Sequence, residues 1–234
     1  MEDTKMISVV GKEIGDLAYF LCKTMEEKKF RVLCIDNSCS HDLFSALKKA
    51  DEEADYVEHG QTVYMRNKTI DEEYGTGAFE KFDVVIVNHG LNIDYELVDM
   101  SDFTILQTDY VPANIAYIND YIDTGYLNQL DKEKFAVVFR DRPSAKVTEL
   151  YVLKQLGIDG LELEFVVNYD EANYNAYINF CYNGIQAVKG ITSEYKHVLT
   201  EIKNIVFGKE ITGLAATSQK LFAKKGAATN DHSN

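Results

Sequence analysis

The chain has 234 residues, of which 46% are hydrophobic and 26% are charged. This size and composition exclude a disordered chain and favour one α/β domain with a sizeable core over two domains. The net charge of −14 comes without a basic stripe, which excludes direct nucleic-acid binding as the expected function, because that binding depends on Lys and Arg at phosphates.

Short apolar segments alternate with helix-like patterns in the first half of the chain. Val, Ile and Leu runs predict strands, and apolar residues at helical spacing predict helices. The predicted elements are a strand "KMISVVG", a helix with Ile14, Leu17, Ala18, Leu21 and Met25 on one face, a strand "FRVLCID", a short helix "HDLFSALKKA", an edge strand or hairpin arm "GQTVYMRN", and a central parallel strand "KFDVVIVNHG".

The second half continues the alternation. It predicts a parallel sheet with helices on both faces, in which ligands bind beyond the carboxyl ends of the strands. The elements are a strand "DFTILQTD", a helix that begins at Pro112, a strand "KFAVVFRD", a helix "SAKVTELYVLKQLG" closed by Gly157, a strand "LELEFVVNY", a helix "DEANYNAYINFCYNG" capped by Asp170 with Tyr174, Tyr177, Ile178 and Cys181 on one face, and a last helix "TSEYKHVLTEIKNIVFG".

Residues 1–208 are expected to form one domain, and residues 209–234 a tail. The tail carries a thin apolar stripe and three lysines, which is compatible with a weak amphipathic helix at a membrane surface or with a frayed terminus. The stripe consists of Ile211, Leu214, Ala215, Ser218, Leu221 and Phe222, and the lysines are Lys220, Lys224 and Lys225.

The cysteines and the N-terminus indicate a cytoplasmic protein. The start "MEDTKMISVV" has no basic region followed by a long apolar run, so it is not a signal peptide. No apolar stretch reaches the roughly 20 residues of a membrane span. The four cysteines form no CxxC pair and no His/Cys cluster has ligand spacing, so we expect reduced thiols and no metal. They are Cys22, Cys34, Cys39 and Cys181.

Three stretches in the same order resemble the MinD/ParA-type ATPases. This deviant-Walker group of P-loop NTPases includes the TadZ/CpaE-like pilus-assembly proteins. The resemblance covers Lys5 to Gly208 and implies a three-layer α/β/α fold with a mostly parallel sheet. The stretches are "ISVVGKEIGDLAYFLCKTMEEKKFRVLCIDNS", "FDVVIVNHGLN" and "FAVVFRDRPS".

The motif residues depart from the family pattern. Gly11, Lys12 and Gly15 can be aligned with the phosphate loop, with Lys12 at the place of the signature lysine. The place of the second lysine falls on Asp16, and that of the magnesium-binding Thr on Leu17.

Two further strands carry altered motif positions. Asn88 stands where the second acidic strand of the family ends in Asp, and Phe139 where an Asn reads the base. Asp36 alone keeps a catalytic-type acid, with Ser38 in place of a second Asp.

These departures weaken a phosphate site. A cradle needs backbone N–H groups, a lysine on the phosphates and a hydroxyl on magnesium. Glu13 and Asp16 are instead expected to satisfy the partial charge at the helix N-terminus. We therefore expect no catalytic residue and no cofactor, with ATP and magnesium as the alternative.

Several residues have two interpretations. Asp36 is a relic catalytic acid or, as we favour, a residue that closes a turn. Lys12 reaches across a dimer or, as we favour, is a solvated loop lysine. We expect His89 in a partly exposed turn, and Arg140 and Arg142 in a solvated strand-end turn, with an anion site as the alternative.

The resemblance implies a pseudo-ATPase that serves as a scaffold or localisation factor for a membrane-associated machine, such as pilus assembly, secretion or positioning. Its partners would be proteins, including a weak or rearranged homodimer, and its tail would contact a membrane surface weakly. The alternative is a weak genuine ATPase with a rebuilt phosphate loop. A relationship to bacterial tyrosine kinases is disfavoured, because no Tyr follows Tyr195.

Overall fold

The computed structural model describes residues 4–47, 54–66, 79–183 and 188–208. Their strands form one sheet in the order β3-β4-β2-β5-β1-β6-β7-β8, parallel throughout except for the antiparallel β3–β4 hairpin. The strands are β1 (Lys5–Gly11), β2 (Val32–Asp36), β3 (Tyr56–His59), β4 (Thr62–Arg66), β5 (Val84–Gly90), β6 (Phe103–Thr108), β7 (Phe135–Arg142) and β8 (Leu163–Asn168).

Helices connect the parallel strands. Their bounds are α1 (Asp16–Glu26), α2 (Asp42–Ser45), α3 (Tyr95–Asp99), α4 (Pro112–Tyr121), α5 (Thr124–Leu127), α6 (Glu149–Leu156), α7 (Glu171–Asn183) and α8 (Ser193–Val206), with 3₁₀ turns at Phe79–Lys81 and Val188–Gly190.

Helices cover both faces of the sheet, which confirms the predicted three-layer fold. Strand residues alternate between the faces, so Ile7 and Val9 of β1 pack in a core with α1, α7 and α8. Val10 faces a second core that includes α4 and α6. Met6 belongs to a third, smaller cluster, which is formed with side chains of β2, β4 and β5. The central strands are therefore buried on both sides, as the apolar run in β5 predicts.

The predicted helices differ from the observed ones in length. The segment "HDLFSALKKA" contains only the short α2, and its residues 48–50 lie outside the described ranges. The predicted helix from Ser144 begins at Glu149 instead, because Thr148 caps its first turn by accepting from the Tyr151 N–H at 3.3 Å. The predicted end at Gly157 is confirmed by its left-handed φ of +67°.

One other prediction needs correction. Tyr174 does not share the buried face of α7, since it is 55% exposed whereas Tyr177 is 5% exposed. Of the two alternatives for "GQTVYMRN", the structure confirms the hairpin arm, because β4 pairs with β3 in a hairpin and lies between β2 and β3. The sequence patterns also missed α3 and α5. Both are single turns capped by an aspartate side chain, Asp94 and Asp123 respectively.

The tail 209–234, with its predicted amphipathic stripe, lies outside the described residues. Over the described part of the chain, every helix is too short or too polar to cross a bilayer.

Candidate functional site

The carboxyl ends of five neighbouring strands meet at one edge of the sheet. Loop 12–15 connects β1 to α1 there, and the ends of β2, β5, β6 and β7 surround it. This is where the parallel sheet predicts a ligand site.

A buried ion pair stands beside the loop. Asp16, the first residue of α1, contacts Arg140 of β7 with 2.5 Å between Oδ2 and a terminal guanidinium nitrogen. Asp16 is 2% exposed and Arg140 is 4% exposed. Burial lowers the pKa of Arg140, but Asp16, Tyr195 and Asp141 together outweigh burial and raise the pKa, so the guanidinium stays charged and paired.

Two buried neighbours complete this pair. Gln107 of β6 donates from Nε2 to Asp16 at 3.2 Å. Arg140 donates to the Tyr195 hydroxyl of α8 at 2.8 Å and lies over the tyrosine ring, 4.4 Å from its centroid. Residues of β6, β7 and α8 therefore converge on Asp16.

The position of Arg140 corrects the expectation of a solvated turn. β7 continues through Arg140 as a buried strand. Of the two arginines, only Arg142 is exposed, and it pairs with Glu149 at 3.1 Å. Asp16 provides the compensating charge that lets Arg140 remain buried.

Lys12 is neither a solvated lysine nor one free to reach across a dimer. Its Nζ lies 2.9 Å from Asp109 and 3.2 Å from Asp141, and its side chain is 21% exposed. Burial lowers the pKa of Lys12, but the two carboxylates outweigh it, so the pKa is raised. The ends of β6 and β7 hold these carboxylates next to the loop, which is why the lysine folds onto its own chain.

Glu13 ties the loop to two neighbouring loops. Its carboxylate accepts from the backbone N–H of Ser40 at 3.1 Å and of Leu91 at 2.6 Å. It lies so close to Gly90 that a Cβ there would be 2.3 Å from Oε1. The loops after β1, β2 and β5 are thus joined by one side chain.

Asp42 of α2 contacts the last residue of the loop. Its carboxylate accepts from the Gly15 N–H at 3.3 Å and from the Tyr177 hydroxyl of α7 at 2.5 Å. Burial raises the pKa of Asp42 above its ordinary value, although both of these bonds oppose the shift.

Two carboxylates therefore lie at the start of α1: Asp16 in its first turn, as predicted, and Asp42, which was not predicted. Glu13 instead bonds to the neighbouring loops. Gly15 lies close against α2: a Cβ on it would be 2.7 Å from the Leu43 Cβ. Gly15, the N-cap residue of α1, has no side chain to cap the helix.

Asp36 and Asn88 end adjacent strands and contact each other. The Asn88 side-chain N–H donates to Asp36 at 3.1 Å. Asp36 also accepts from the Ser38 hydroxyl at 2.6 Å and from the Phe44 N–H at 2.9 Å. Asp36 is 1% exposed, and these bonds are those of a residue that closes the turn between β2 and α2.

His89 is buried, which corrects the expectation of a partly exposed turn histidine. Its side chain is fully enclosed, with Nε2 3.1 Å from the Ser8 hydroxyl and Nδ1 accepting from the Asp94 N–H at 3.2 Å. Burial lowers the pKa of His89 to about 4. The residue is thus a neutral structural link between β1, β5 and α3.

The residues present do not fit a magnesium–triphosphate group. Leu17 is fully buried and has no hydroxyl for a metal. Among the described residues, no three His, Cys, Asp or Glu side chains are placed to hold a metal ion. In the described surroundings of the loop, both cations are already paired and carboxylates outnumber them. The carboxylates are Glu13, Asp16, Asp36, Asp42, Asp109 and Asp141, and the cations are Lys12 and Arg140.

The fold is that of the MinD/ParA-type ATPases. The structure of a ParA family ATPase from Chlorobium tepidum matches with a TM-score of 0.60 and 13% identity, over 85% of this chain and 98% of that one. McdA from Cyanothece in its apo form gives 0.59 and 13%, over 87% and 99%. The cell division ATPase MinD from Pyrococcus furiosus gives 0.57 and 12%, over 86% and 99%. No family profile and no curated protein sequence matches the chain.

The predicted site residues do meet at this edge. Gly11, Lys12, Gly15 and Asp16 lie on or beside the loop, with Asp36 and Asn88 at the neighbouring strand ends. Sequence reasoning missed the partners that hold them in place. Spacing gave no signal for these partners, which come from distant segments: Gln107, Asp109, Tyr177 and Tyr195.

Proposed function

We propose that the chain is a catalytically inactive counterpart of the MinD/ParA-type ATPases that acts by recognising other proteins. It would be a scaffold or localisation factor for a membrane-associated machine, such as pilus assembly, secretion or spatial positioning. One observation carries the proposal: Asp16, at the place of the phosphate-binding lysine, is buried in an ion pair with Arg140.

Electrostatics supports this proposal. A triphosphate at loop 12–15 would meet several carboxylates at close range, and each unfavourable pair costs on the order of several kcal/mol at intermediate dielectric. The α1 N-terminus offers only about 0.3–1 kcal/mol, and its Gly15 N–H already bonds to Asp42. Phosphoryl transfer depends on positioning and charge stabilisation, which this arrangement does not supply.

The similar structures support a role with other proteins. The MinD of Aquifex aeolicus, which matches with a TM-score of 0.53 and 14% identity, was solved as a MinC:MinD cell division protein complex. A partner of the present chain would likewise be a protein. The pilus-assembly assignment depends on the TadZ/CpaE-like resemblance of the sequence.

Nucleotide titration and phosphate release test the proposal. Calorimetry with ATP and magnesium should give no binding heat, and phosphate release should equal the background. The Asp36→Ala variant should behave identically. Turnover that disappears in this variant would refute the inactive assignment, whereas equal turnover in both proteins would come from a contaminant.

A weak genuine ATPase is the second candidate, and Lys12 favours it. This lysine remains at the place of the signature lysine, and it lies in loop 12–15, which leads into the start of α1. It would have to leave Asp109 and Asp141 to meet a phosphate. Saturable ATP binding that Lys12→Ala abolishes would establish this candidate.

Self-association and membrane contact are separate parts of the proposal. Two acidic loops facing each other would repel, so we expect a weak or rearranged homodimer, which light scattering at several salt concentrations would detect. For the tail, liposome co-sedimentation with and without residues 209–234 is the test. Equal sedimentation would eliminate the membrane role.

A further inference from the structure

A long segment of this chain contains no Lys or Arg. Residues 82–131 include nine Asp or Glu and no Lys or Arg, although the chain has 24 Lys and Arg in 234 residues. The segment spans β5, α3, β6, α4 and α5. Five of the nine acids lie on its three helices or cap them: Asp94, Glu96, Asp99, Asp120 and Asp123.

Direct contacts join α3 to α5 and to the turn that follows α4. The Tyr95 ring of α3 packs edge-on against the Tyr126 ring of α5, with centroids 4.8 Å apart. The Tyr95 hydroxyl accepts from the Asp123 N–H, between α4 and α5, at 3.3 Å. On α4, Tyr117 and Tyr121 are four residues apart and therefore share a face. We call Tyr95, Tyr117, Tyr121 and Tyr126 the tyrosine surface.

The tyrosine surface exposes much aromatic area. Tyr117 is 54% exposed, Tyr121 is 64% exposed and Tyr95 is 37% exposed. Tyrosine rings bury large contact areas at a low entropy cost, because they have only two side-chain torsions. Such rings are enriched at protein interfaces.

Carboxylates surround the rings without basic partners. Over the described ranges, the exposed acids of these helices form no ion pair with Lys or Arg. They are Glu96, Asp99, Asp120 and Asp123. Two of them accept neutral hydrogen bonds from Tyr126: Asp99 from its hydroxyl and Asp123 from its N–H.

We propose that the tyrosine surface is the docking site for an arginine-rich segment of a partner protein. A guanidinium can stack on a tyrosine face and bond a carboxylate with two N–H groups at once, whereas a lysine ammonium is a point charge. The proposal rests on the proposed function only in that the function is recognition of a protein. The surface itself includes no residue of loop 12–15.

A labelled peptide of alternating Arg and Ala is the probe, with fluorescence anisotropy as the readout on the full chain. Tyr117→Ala with Tyr121→Ala should weaken binding by at least about fivefold, the loss expected for two exposed cation–π contacts. The matched control is Tyr174→Ala with Tyr182→Ala, two exposed tyrosines of α7, which should change affinity less than about twofold. A Lys/Ala peptide should bind more weakly than the Arg/Ala peptide.

Charge reversal gives a second comparison. Asp120→Lys should weaken binding strongly. Glu58→Lys, which makes the same reversal of charge on the edge strand β3, should have little effect. Equal losses in either comparison would mean nonspecific attraction by the net charge and would overturn the proposal.

Tighter peptide binding after deletion of residues 209–234 would also overturn the proposal, because the chain's own tail would then occupy the tyrosine surface. Peptide binding is measured without nucleotide, so it can fail or succeed independently of the ATP titration.

Discussion

The carboxylate of Asp16 and the guanidinium of Arg140 lie 2.5 Å apart between α1 and β7, and both side chains are almost fully buried. An ion pair in this environment is costly to form, and removing one partner is costlier, because the other charge stays buried alone. This pair therefore fixes the conformation of the loop edge more than it adds to stability.

We predict that Arg140→Met lowers the free energy of unfolding by about 3–5 kcal/mol. Urea unfolding followed by circular dichroism measures the change. Combining it with Asp16→Leu should restore part of the loss, because no buried charge is left without a partner. The control is Arg142→Met, whose exposed pair with Glu149 should be worth no more than about 1 kcal/mol. A double variant less stable than Arg140→Met alone would contradict this interpretation.

The Tyr177–Asp42 bond gives a second prediction. Tyr177→Phe removes the hydroxyl that donates to the partly buried Asp42 carboxylate, so unfolding should require about 1.5–3 kcal/mol less, the range for bonds to charged groups. Tyr174→Phe on the exposed side of α7 should stay within about 0.5 kcal/mol of the unmodified chain. Similar losses for both variants would show that Asp42 does not depend on Tyr177.

The sequence predicted the sheet better than the site. The Val and Ile runs of β1 and β5 are long, apolar on both faces and bounded by polar residues, and such patterns specify buried parallel strands. The short α3 and α5 have too few residues to show a helical period, so only their capping aspartates signal them.

Side-chain partners across the site were not predictable from spacing. The contacts of Asp16 with Gln107 and Tyr195 join residues 91 and 179 positions apart. Arg140 lies at the polar end of β7, a pattern that favours a solvated turn. Its burial depends on a carboxylate that another element supplies, and that information is in the tertiary structure alone.

Buried His89 gives the fold a pH dependence. Burial lowers its pKa to about 4 in the folded chain, whereas the unfolded chain keeps an ordinary value near 6.5. The unfolded state therefore binds the proton first as pH falls. The stability from neutral His89 is present above about pH 6.5 and is lost progressively toward about pH 4.

We predict that the stability difference between the unmodified chain and His89→Gln shrinks by about 2 kcal/mol between pH 7.5 and pH 4.5. Paired urea titrations at both pH values isolate this effect, because the other groups titrate alike in the two proteins. His197→Gln on α8 serves as the comparison histidine variant. A difference independent of pH would mean that the pKa of His89 is the same in the folded and the unfolded chain, which would contradict the shift caused by burial.

Glu164 of β8 should act in the opposite direction. Burial, together with the charge of Glu149, raises its pKa to about 7, although Arg142 opposes the shift. The folded chain then binds a proton more readily than the unfolded chain, whose glutamates titrate near 4.3. The stability linked to this proton is fully present below about pH 4.3 and is lost as pH rises through about 7.

At pH 8.5, Glu164→Gln should therefore be more stable than the unmodified chain by about 1 kcal/mol. This value is smaller than the full pKa shift implies, because the side chain is partly exposed. At pH 5 the advantage should vanish, and Glu133→Gln, an exposed glutamate ahead of β7, should show no such crossover. Thermal unfolding of the three proteins across this pH range is the measurement, and a Glu164→Gln variant less stable at pH 8.5 would refute the assignment of an unfavourable buried charge.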